Sequence, residues 1–511
     1  MTFHSILFDG SGVGSDGLQP EAPDFFIDLG LDRLVASITA GRQAYDLAPF
    51  FHAPLTDLGT IAYRHEVFRD LERPMVLAGV RSFAQKMRTV HEQREQADRS
   101  HYQHEKERWF LDSAAVYCDA VTGLATDLSA AEPRSRGLRA LGLHLAAYIA
   151  SEPFATLLAE THDVSEALRA ITYSLEISGT RIRVSRYSPT PDYTADVVQT
   201  FGRFKQGAVK DYRFQFSTWP HLNHVEAALL DLVARLHPDV FGALDRHSLR
   251  HGAYLDATIA RFDREVQFYV AYLEHVDRLR RAGLSFCYPV VEHRPTRMHA
   301  RAFFDSALAV MLAGGSSPVV TNDFHLEQPE RILVVSGPNQ GGKTTFARAL
   351  GQLHHLASLG CPVPGTDARV SLVDRVFSHF ERAEDLLGLT GKLEADLVRI
   401  RSILELATRD SLLVLNESFG STTVSDALFL NREVMWQIIE RGSTCVAVTF
   451  LDELASLDEA TVSMVSTVDP DDPTVRTFRI VRRPADGLAY AAAIARKYGL
   501  TYEGVRERLA R

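Results

Sequence analysis

Apolar residues follow a helical period through most of the first three hundred positions. From about Asp32 to Thr172 they recur at the spacing of one helix face, with few strand signals between them. The same spacing returns in VEAALLDLVARL (225–236) and in a long run from about Arg250 to Ala282. This pattern predicts a helical region that extends over residues 1–299.

The period changes from helical to alternating between about residues 177 and 219. In TRIRVSRY (180–187) apolar and basic residues alternate, and in DYRFQFSTW (211–219) aromatic and polar residues do the same. Alternation of this kind is typical of strands, and the turn-rich SPTPDY lies between the two segments. The sequence therefore predicts a small β-rich insert within the helical region.

A third pattern begins after Pro295, where short continuous apolar runs alternate with amphipathic helices. The runs RILVVSG (331–337), SLLVLNE (411–417) and TCVAVTF (444–450) have the character of buried parallel strands. Helical segments separate them, as in an α/β sheet. We expect a multidomain protein in which residues 300–511 form one α/β domain.

Length, charge and cysteine usage narrow the class of protein. At 511 residues the chain allows two to four domains of about 150 residues each. The net charge of −10 argues against a surface covered with nucleic-acid-binding residues, so any DNA contact must be local. The four cysteines are scattered, which indicates neither a disulfide framework nor a zinc site. No long uncharged apolar run or basic leader is present, so we expect a cytoplasmic protein without a membrane partner.

The segment GPNQGGKT (337–344) fits the phosphate-binding pattern GxxxxGK[ST], and it follows an apolar strand and precedes a helix, as the pattern requires. Glycines let backbone N–H groups approach phosphate oxygens, Lys343 can neutralise their charge, and the Thr344 hydroxyl can ligate Mg²⁺. The competing interpretation is an ordinary glycine-rich turn. We predict an ATP and Mg²⁺ site formed by Gly337, Pro338, Asn339, Gln340, Gly341, Gly342, Lys343, Thr344 and Thr345.

The apolar strand SLLVLNE ends in the polar pair Asn416-Glu417. Ligand sites of open α/β sheets form at the carboxyl ends of such strands. Glu417 is therefore a candidate catalytic residue that orients water or acts as general base for hydrolysis of the γ-phosphate. The alternative is an ordinary surface carboxylate.

The segments GPNQGGKTT (337–345) and LVLNESFGSTTVSDAL (413–428) resemble the MutS family of DNA mismatch-repair ATPases. That family usually has Met in place of Gln340 and an Asp-Glu pair where this chain has Asn416-Glu417. The segment FHAPLTDLGTIAYRHEVFRDL (51–71) is similar to the family's core segment, and the insert at 177–219 falls where the family has its DNA-touching clamp. The resemblance implies a helical core and lever region, a clamp, and a P-loop NTPase domain of the MutS/ABC type. It also implies a homodimer formed through the ATPase domains.

Several positions depart from the family pattern. Aspartate at position 416 would direct charge toward the Mg²⁺ shell through bound water, whereas Asn416 keeps an acceptor oxygen and loses the charge. Phe450 replaces the family's histidine after the fourth strand, and the segment 386–397 keeps only Thr390 and Gly391 of a Ser/Thr-rich signature loop. No Phe-x-Glu wedge occurs in the first thirty residues. We expect slow hydrolysis, and DNA contact without the usual mismatch wedge.

The insert is the one locally basic segment that suggests a DNA contact. Seven basic side chains and three acidic ones, Asp192, Asp196 and Asp211, give it a charge of +4. A solvated hairpin is the alternative interpretation. The candidate DNA-binding residues are Arg181, Arg183, Arg186, Arg203, Lys205, Lys210 and Arg213.

Three hypotheses for function follow. The first is a MutS-like ATPase that contacts duplex or branched DNA in mismatch repair, other DNA repair or recombination. The second is a nucleotide-binding clamp that does not hydrolyse ATP. The third, an ABC-type ATPase subunit, is disfavoured by the long helical region and by the lack of a clear LSGGQ-like signature.

Overall fold

A computed structural model describes residues 3–10, 21–188, 199–200, 222–313, 315, 317–381, 391–472, 474–485, 500–502 and 506. The chain divides into two compact units. The first contains Met1–Phe3, Pro74–Pro133 and Arg139–Asp263; the second contains His4–Arg73, Arg134–Leu138 and Arg264–Arg511. This division does not test the predicted boundary between residues 299 and 300, which stays a prediction.

The helices of the described residues are α1 (Phe25–Leu29), α2 (Leu31–Thr39), α3 (Ala48–His52), α4 (Leu58–Leu71), α5 (Pro74–Arg99), α6 (Gln103–Ala131), α7 (Arg136–Ile149), α8 (Glu152–Arg169), α9 (His224–Leu236), α10 (Pro238–Arg250), α11 (Ala257–Arg281), α12 (Ser306–Leu312), α13 (Lys343–Ser358), α14 (Lys392–Leu406) and α15 (Val424–Arg441).

The strands are β1 (Tyr173–Ser178), β2 (Arg181–Arg186), β3 (Phe286–Cys287), β4 (Val290–Glu292), β5 (Arg297–Phe303), β6 (Asn322–Glu327), β7 (Ile332–Ser336), β8 (Val363–Pro364), β9 (Asp367–Ser371), β10 (Val376–Phe380), β11 (Leu412–Asn416), β12 (Thr444–Val448), β13 (Thr461–Val468) and β14 (Arg476–Arg482).

The first unit is built mainly from helices. Along α5 the buried residues Val76, Val80, Phe83, Met87 and Val90 recur at helical spacing, and this face packs against α6. A second cluster joins α6, α8, α9 and α10. The predicted alternation at 180–187 forms β2, which pairs antiparallel with β1. The second predicted strand, 211–219, lies outside the described residues.

The second unit contains a six-stranded sheet in the order β10-β11-β12-β7-β13-β14. Strand β14 is antiparallel to β13, and the other neighbouring pairs are parallel. Every residue of β7 and β11 is buried, as expected for central parallel strands covered on both faces. A four-stranded sheet in the order β4-β9-β5-β6 belongs to the same unit. The mixed helical and sheet character that the sequence predicts is confirmed, while the clamp and lever arrangement stays a prediction.

Helices pack against the central six-stranded sheet. On one side α14 and α15 contribute Ile400, Leu404, Met435 and Ile438 to a core shared with β7, β11 and β12. Helix α13 is buried along nearly its whole length, so it is a central element of the unit. The carboxyl ends of β7, β11 and β12 lie at one edge of the sheet because these strands are parallel.

A residue of α4 contacts the carboxyl end of α13. Arg64 of α4 is fully buried and donates hydrogen bonds to the carbonyl oxygens of Leu7 (3.0 Å) and Leu359 (2.8 Å). Its guanidinium also lies over the rings of Phe8 and Phe268. Leu359 is the residue that caps the carboxyl end of α13, so Arg64 satisfies a carbonyl that the helix leaves unpaired.

Within the described part of the chain, no single helix has the length and apolar character needed to cross a membrane; the bent pair α7 and α8 meets that test only when the two are taken together.

Candidate nucleotide-binding site

The loop from β7 to α13 needs glycine at several positions. Gly337 and Gly342 have φ of 114° and 91°, in the region that side chains rarely adopt, and Gln340 has φ of 59°. At Gly341, a Cβ atom would lie 2.2 Å from Ser466 Oγ, which donates to the Gly341 carbonyl (2.7 Å). The loop therefore brings backbone N–H groups to the amino end of α13, an arrangement that binds anions.

Lys343 lies under this loop and is only 4% exposed. Its Nζ donates to the carbonyl oxygens of Gly337 (2.9 Å) and Pro338 (3.3 Å), and its third neighbour is Asn339 Oδ1 (3.4 Å). Burial lowers the pKa of Lys343, the Glu417 carboxylate opposes this shift, and the Arg476 guanidinium adds to it. A buried ammonium held mainly by neutral oxygens is favourably placed to gain an anionic partner.

Asn416 and Glu417 lie at the carboxyl end of β11. Thr344 Oγ1 donates to Asn416 Oδ1 across 2.9 Å, which joins the start of α13 to the end of β11. Glu417 is half-buried, has φ of 54°, and donates its N–H to the Val448 carbonyl of β12 (2.9 Å). The adjacent oxygens of Thr344 and Asn416 fit a hard cation such as Mg²⁺, which prefers oxygen ligands.

These residues surround a pocket of about 540 Å³ in the second unit. The size suits a nucleotide, since small-molecule sites have volumes of roughly 300–1,000 Å³. Of the predicted residues, the pocket is lined by Asn339, Gln340, Gly341, Gly342, Lys343, Thr344, Thr345 and Glu417. The other three predicted residues do not line the pocket. Gly337 and Pro338 accept hydrogen bonds from Lys343, and Asn416 accepts one from Thr344.

The sequence did not reveal the apolar part of this pocket, which consists of Leu308 and Leu312 of α12, Pro318, Val320, and Phe478 of β14. Phe478 has φ of 57°, which is rare for a bulky residue, at an irregularity in the pairing of β13 and β14. The segment TFRIV (477–481) reads as an ordinary strand, so no local signal marks this conformation.

Other residues that the sequence analysis singled out lie elsewhere. Phe450 is exposed and lines a separate groove with Asp452 and Glu453. Residues 386–390 of the altered signature segment lie outside the described residues.

The candidate DNA-binding residues are only partly described. Arg181, Arg183 and Arg186 lie exposed on β2 of the first unit, and Arg183 is 3.7 Å from Glu176. Arg181 and Arg183 share one face of the hairpin because side chains alternate along a strand, and Arg186 belongs to the other face. The positions outside the described residues are Arg203, Lys205, Lys210 and Arg213.

A mainly parallel sheet, a glycine-rich loop at the amino end of a buried helix, and a carboxylate beyond a neighbouring strand define the class of P-loop nucleotide-binding domains. Residues 333–503 match the family described as MutS domain V. The MutS DNA mismatch repair protein of Chlorobaculum tepidum is 30% identical over 227 residues, which are 43% of this chain and 25% of that protein.

Two further relatives give the same result. MutS of Brevibacillus brevis is 27% identical over 238 residues (42% of this chain, 28% of the relative). DNA mismatch repair protein MutS 2 of Halobacterium salinarum is 31% identical over 204 residues (37% of this chain, 24% of the relative). Residues 333–503 are therefore similar to domain V of MutS proteins, and these matches support membership of the MutS family. The matched segment spans about a quarter of the length of these relatives.

Proposed function

We propose that this protein is a MutS-like ATPase that binds ATP with Mg²⁺ and acts on DNA in mismatch repair, other DNA repair or recombination, in the cytoplasm. The observation that carries the proposal is the single pocket in which Lys343, Thr344 and Glu417 meet. The names of the matched relatives support the connection to DNA mismatch repair.

Each of these residues has a separate chemical role in the proposal. Lys343 exchanges its carbonyl partners for phosphate oxygens, while the loop N–H groups bind the same phosphates. Mg²⁺, when bound, neutralises phosphate charge; Thr344 Oγ1 would hold it directly and Asn416 Oδ1 through water. Glu417 orients the attacking water and accepts its proton.

The neutral Asn416 reduces the negative charge that faces the metal. We therefore propose slow hydrolysis, with nucleotide occupancy controlling the conformation of a dimer and of a DNA-contacting clamp. The same observation favours a second candidate function, a clamp that binds ATP and does not hydrolyse it. The ABC-type alternative gains no support from the matches to MutS proteins.

The test compares ATP binding by calorimetry and phosphate release for the wild-type protein and two variants. Lys343→Ala should lose ATP affinity, whereas Glu417→Ala should keep it and lose turnover. Glu459→Ala, which removes an exposed carboxylate outside the pocket, is the control. Binding without turnover in the wild type would favour the second candidate, and absence of ATP binding would refute both.

DNA binding needs a separate experiment because the assays of ATP binding and turnover do not test it. Duplex, mismatched and branched DNA would be compared with and without ATP and Mg²⁺ at several salt concentrations. Binding that weakens steeply with salt is expected for contacts to phosphate. Lack of binding to all three at low salt would remove DNA from the proposal.

A further inference from the structure

The turn that follows β11 brings Glu417 to the pocket, and its backbone conformation is unusual. Glu417 and Phe419 have φ of 54° and 60°, in the left-handed region that residues other than glycine rarely adopt. Such a conformation costs free energy and persists only where the surrounding structure determines it. The groups that hold this turn therefore also determine where the Glu417 carboxylate lies.

Phe419 is held through both its side chain and its backbone. The ring is fully buried in the core that the central sheet shares with α14 and α15. The backbone N–H donates a hydrogen bond to the carboxylate of Asp396, a half-buried residue of α14. Asp396 Oδ1 also lies 3.5 Å from His379 Nε2 of β10. A carboxylate acceptor makes a stronger hydrogen bond than a neutral one, so Asp396 restrains the N–H of Phe419 firmly.

Asn431 of α15 holds the preceding residue of the turn. Its Nδ2 donates to the carbonyl oxygens of Ser418 (3.2 Å) and Ala427 (2.8 Å). The bond to Ala427 fixes the side chain of Asn431 against its own helix, and the bond to Ser418 fixes the peptide that follows it. Two helices thus bind the backbone of the turn immediately after Glu417.

We propose that Asp396 and Asn431 are positioning residues for Glu417, which fix the strained turn in the orientation that directs the carboxylate into the nucleotide pocket. Neither of these described residues lines the pocket, so each acts through Glu417 and not on the nucleotide. The inference rests on the proposed function, which gives Glu417 its role in orienting water. Loss of either anchor should reduce turnover, because a misplacement of about 1 Å can cost on the order of 10²-fold in rate.

The first experiment separates turnover from ATP binding in the full chain with Mg²⁺. Asp396→Ala and Asn431→Ala should each lower kcat by about tenfold or more and leave the ATP dissociation constant unchanged. Asp396→Asn, which keeps an acceptor oxygen for the N–H of Phe419, should restore most of the turnover. The controls are Glu394→Ala and Gln437→Ala, which remove a carboxylate and an amide from exposed positions of the same two helices. Turnover equal to that of the controls would overturn the inference.

Hydrogen–deuterium exchange gives a second readout that does not require hydrolysis. Loss of the side chain of Asp396 or Asn431 should speed exchange of the amides of residues 417–420 by about tenfold or more, while the amides of β7 keep their wild-type rates. Unchanged exchange at 417–420 would overturn the inference, and so would equally faster exchange in β7, which would assign the two side chains to general stability. If the wild type shows no turnover, the hydrolytic part of the proposed function fails and the exchange rates alone decide the inference.

Discussion

The hydrogen bond between Thr344 and Asn416 brings a neutral amide to the position from which a carboxylate would act on a metal. At an effective dielectric constant near 20, a unit-charge pair about 4 Å apart interacts by roughly 4 kcal/mol, and intervening water reduces this. Replacing one oxygen by nitrogen keeps the geometry of the hydrogen bond and removes the charge.

Asn416→Asp should therefore make ATP binding more strongly dependent on Mg²⁺. The expected result is a lower Mg²⁺ concentration at half-saturation in a calorimetric titration at fixed ATP. Gln437→Glu, which adds the same charge on the exposed face of α15, should leave the titration unchanged. Identical curves for Asn416→Asp and the wild type would mean that position 416 does not act on the metal.

The burial of His354 in α13 predicts that the second unit loses stability in acid. Burial lowers the pKa of His354 from 6.5 to about 4, and Nδ1 contacts the Leu350 carbonyl (3.0 Å) within the same helix. The folded state keeps the ring neutral while the unfolded state takes up a proton below pH 6.5. The stability that this histidine contributes is complete above pH 6.5 and is lost as the pH falls toward 4.

His354→Leu should reduce the slope of the unfolding free energy against pH by about 1.4 kcal/mol per pH unit between the two pKa values, because one titrating group is removed. The measurement is the free energy of unfolding, obtained from urea denaturation at a series of pH values from 7 to 5. His162→Leu, an exposed histidine of α8, is the control and should not change the slope. A slope equal to that of the wild type would assign the acid sensitivity to other groups.

At the scale of elements, the short helix α1 joins three parts of the second unit. The Asp28 carboxylate, 6% exposed, accepts from Ser378 Oγ of β10 (2.7 Å) and from Arg399 Nη2 of α14 (2.8 Å). Its carbonyl accepts from Arg348 of α13 (2.9 Å), and the next carbonyl, of Leu29, accepts from Gln352 (2.8 Å). A five-residue helix thus connects α13, β10 and α14.

Asp28→Ala should lower the free energy of unfolding by about 3 kcal/mol, since it leaves a partly buried guanidinium without its carboxylate. Asp32→Ala on the exposed side of α2 removes the same charge and should have little effect. Chemical denaturation followed by tryptophan fluorescence would compare them. Equal stability of the two variants would show that α1 contributes little to the unit.

Sequence and structure agree where the information is local. The strand, loop and helix around residues 332–358 follow from apolar runs and glycines, and the hairpin strand at 181–186 follows from alternation. The contacts that complete the pocket are between distant residues. Asn322 donates a hydrogen bond to Phe478, which is 156 residues away, and Arg399 donates one to Asp28, which is 371 residues away. Neither pair has a spacing or motif in the sequence that marks it.

The whole molecule has a net negative charge, whereas the β1–β2 hairpin is locally basic. If Arg181, Arg183 and Arg186 contact DNA phosphates, replacing all three by serine should reduce the slope of log affinity against log salt by up to about 2.7, or roughly 0.9 for each lost contact. The exposed arginines Arg88, Arg139 and Arg246 of the same unit provide a control of equal charge. Matching slopes for the two triple variants would exclude a specific role for the hairpin.

The hydrogen bond from Arg64 to Leu359 also bears on how the chain reaches its folded state during synthesis. The two residues are 295 positions apart, and Asp28 is still farther from Arg399. At roughly 5–20 residues per second, α1 and α4 leave the ribosome some tens of seconds before the helices that bury them. During that interval their apolar faces have no native partner from α13 or α14, because those helices have not yet been synthesised.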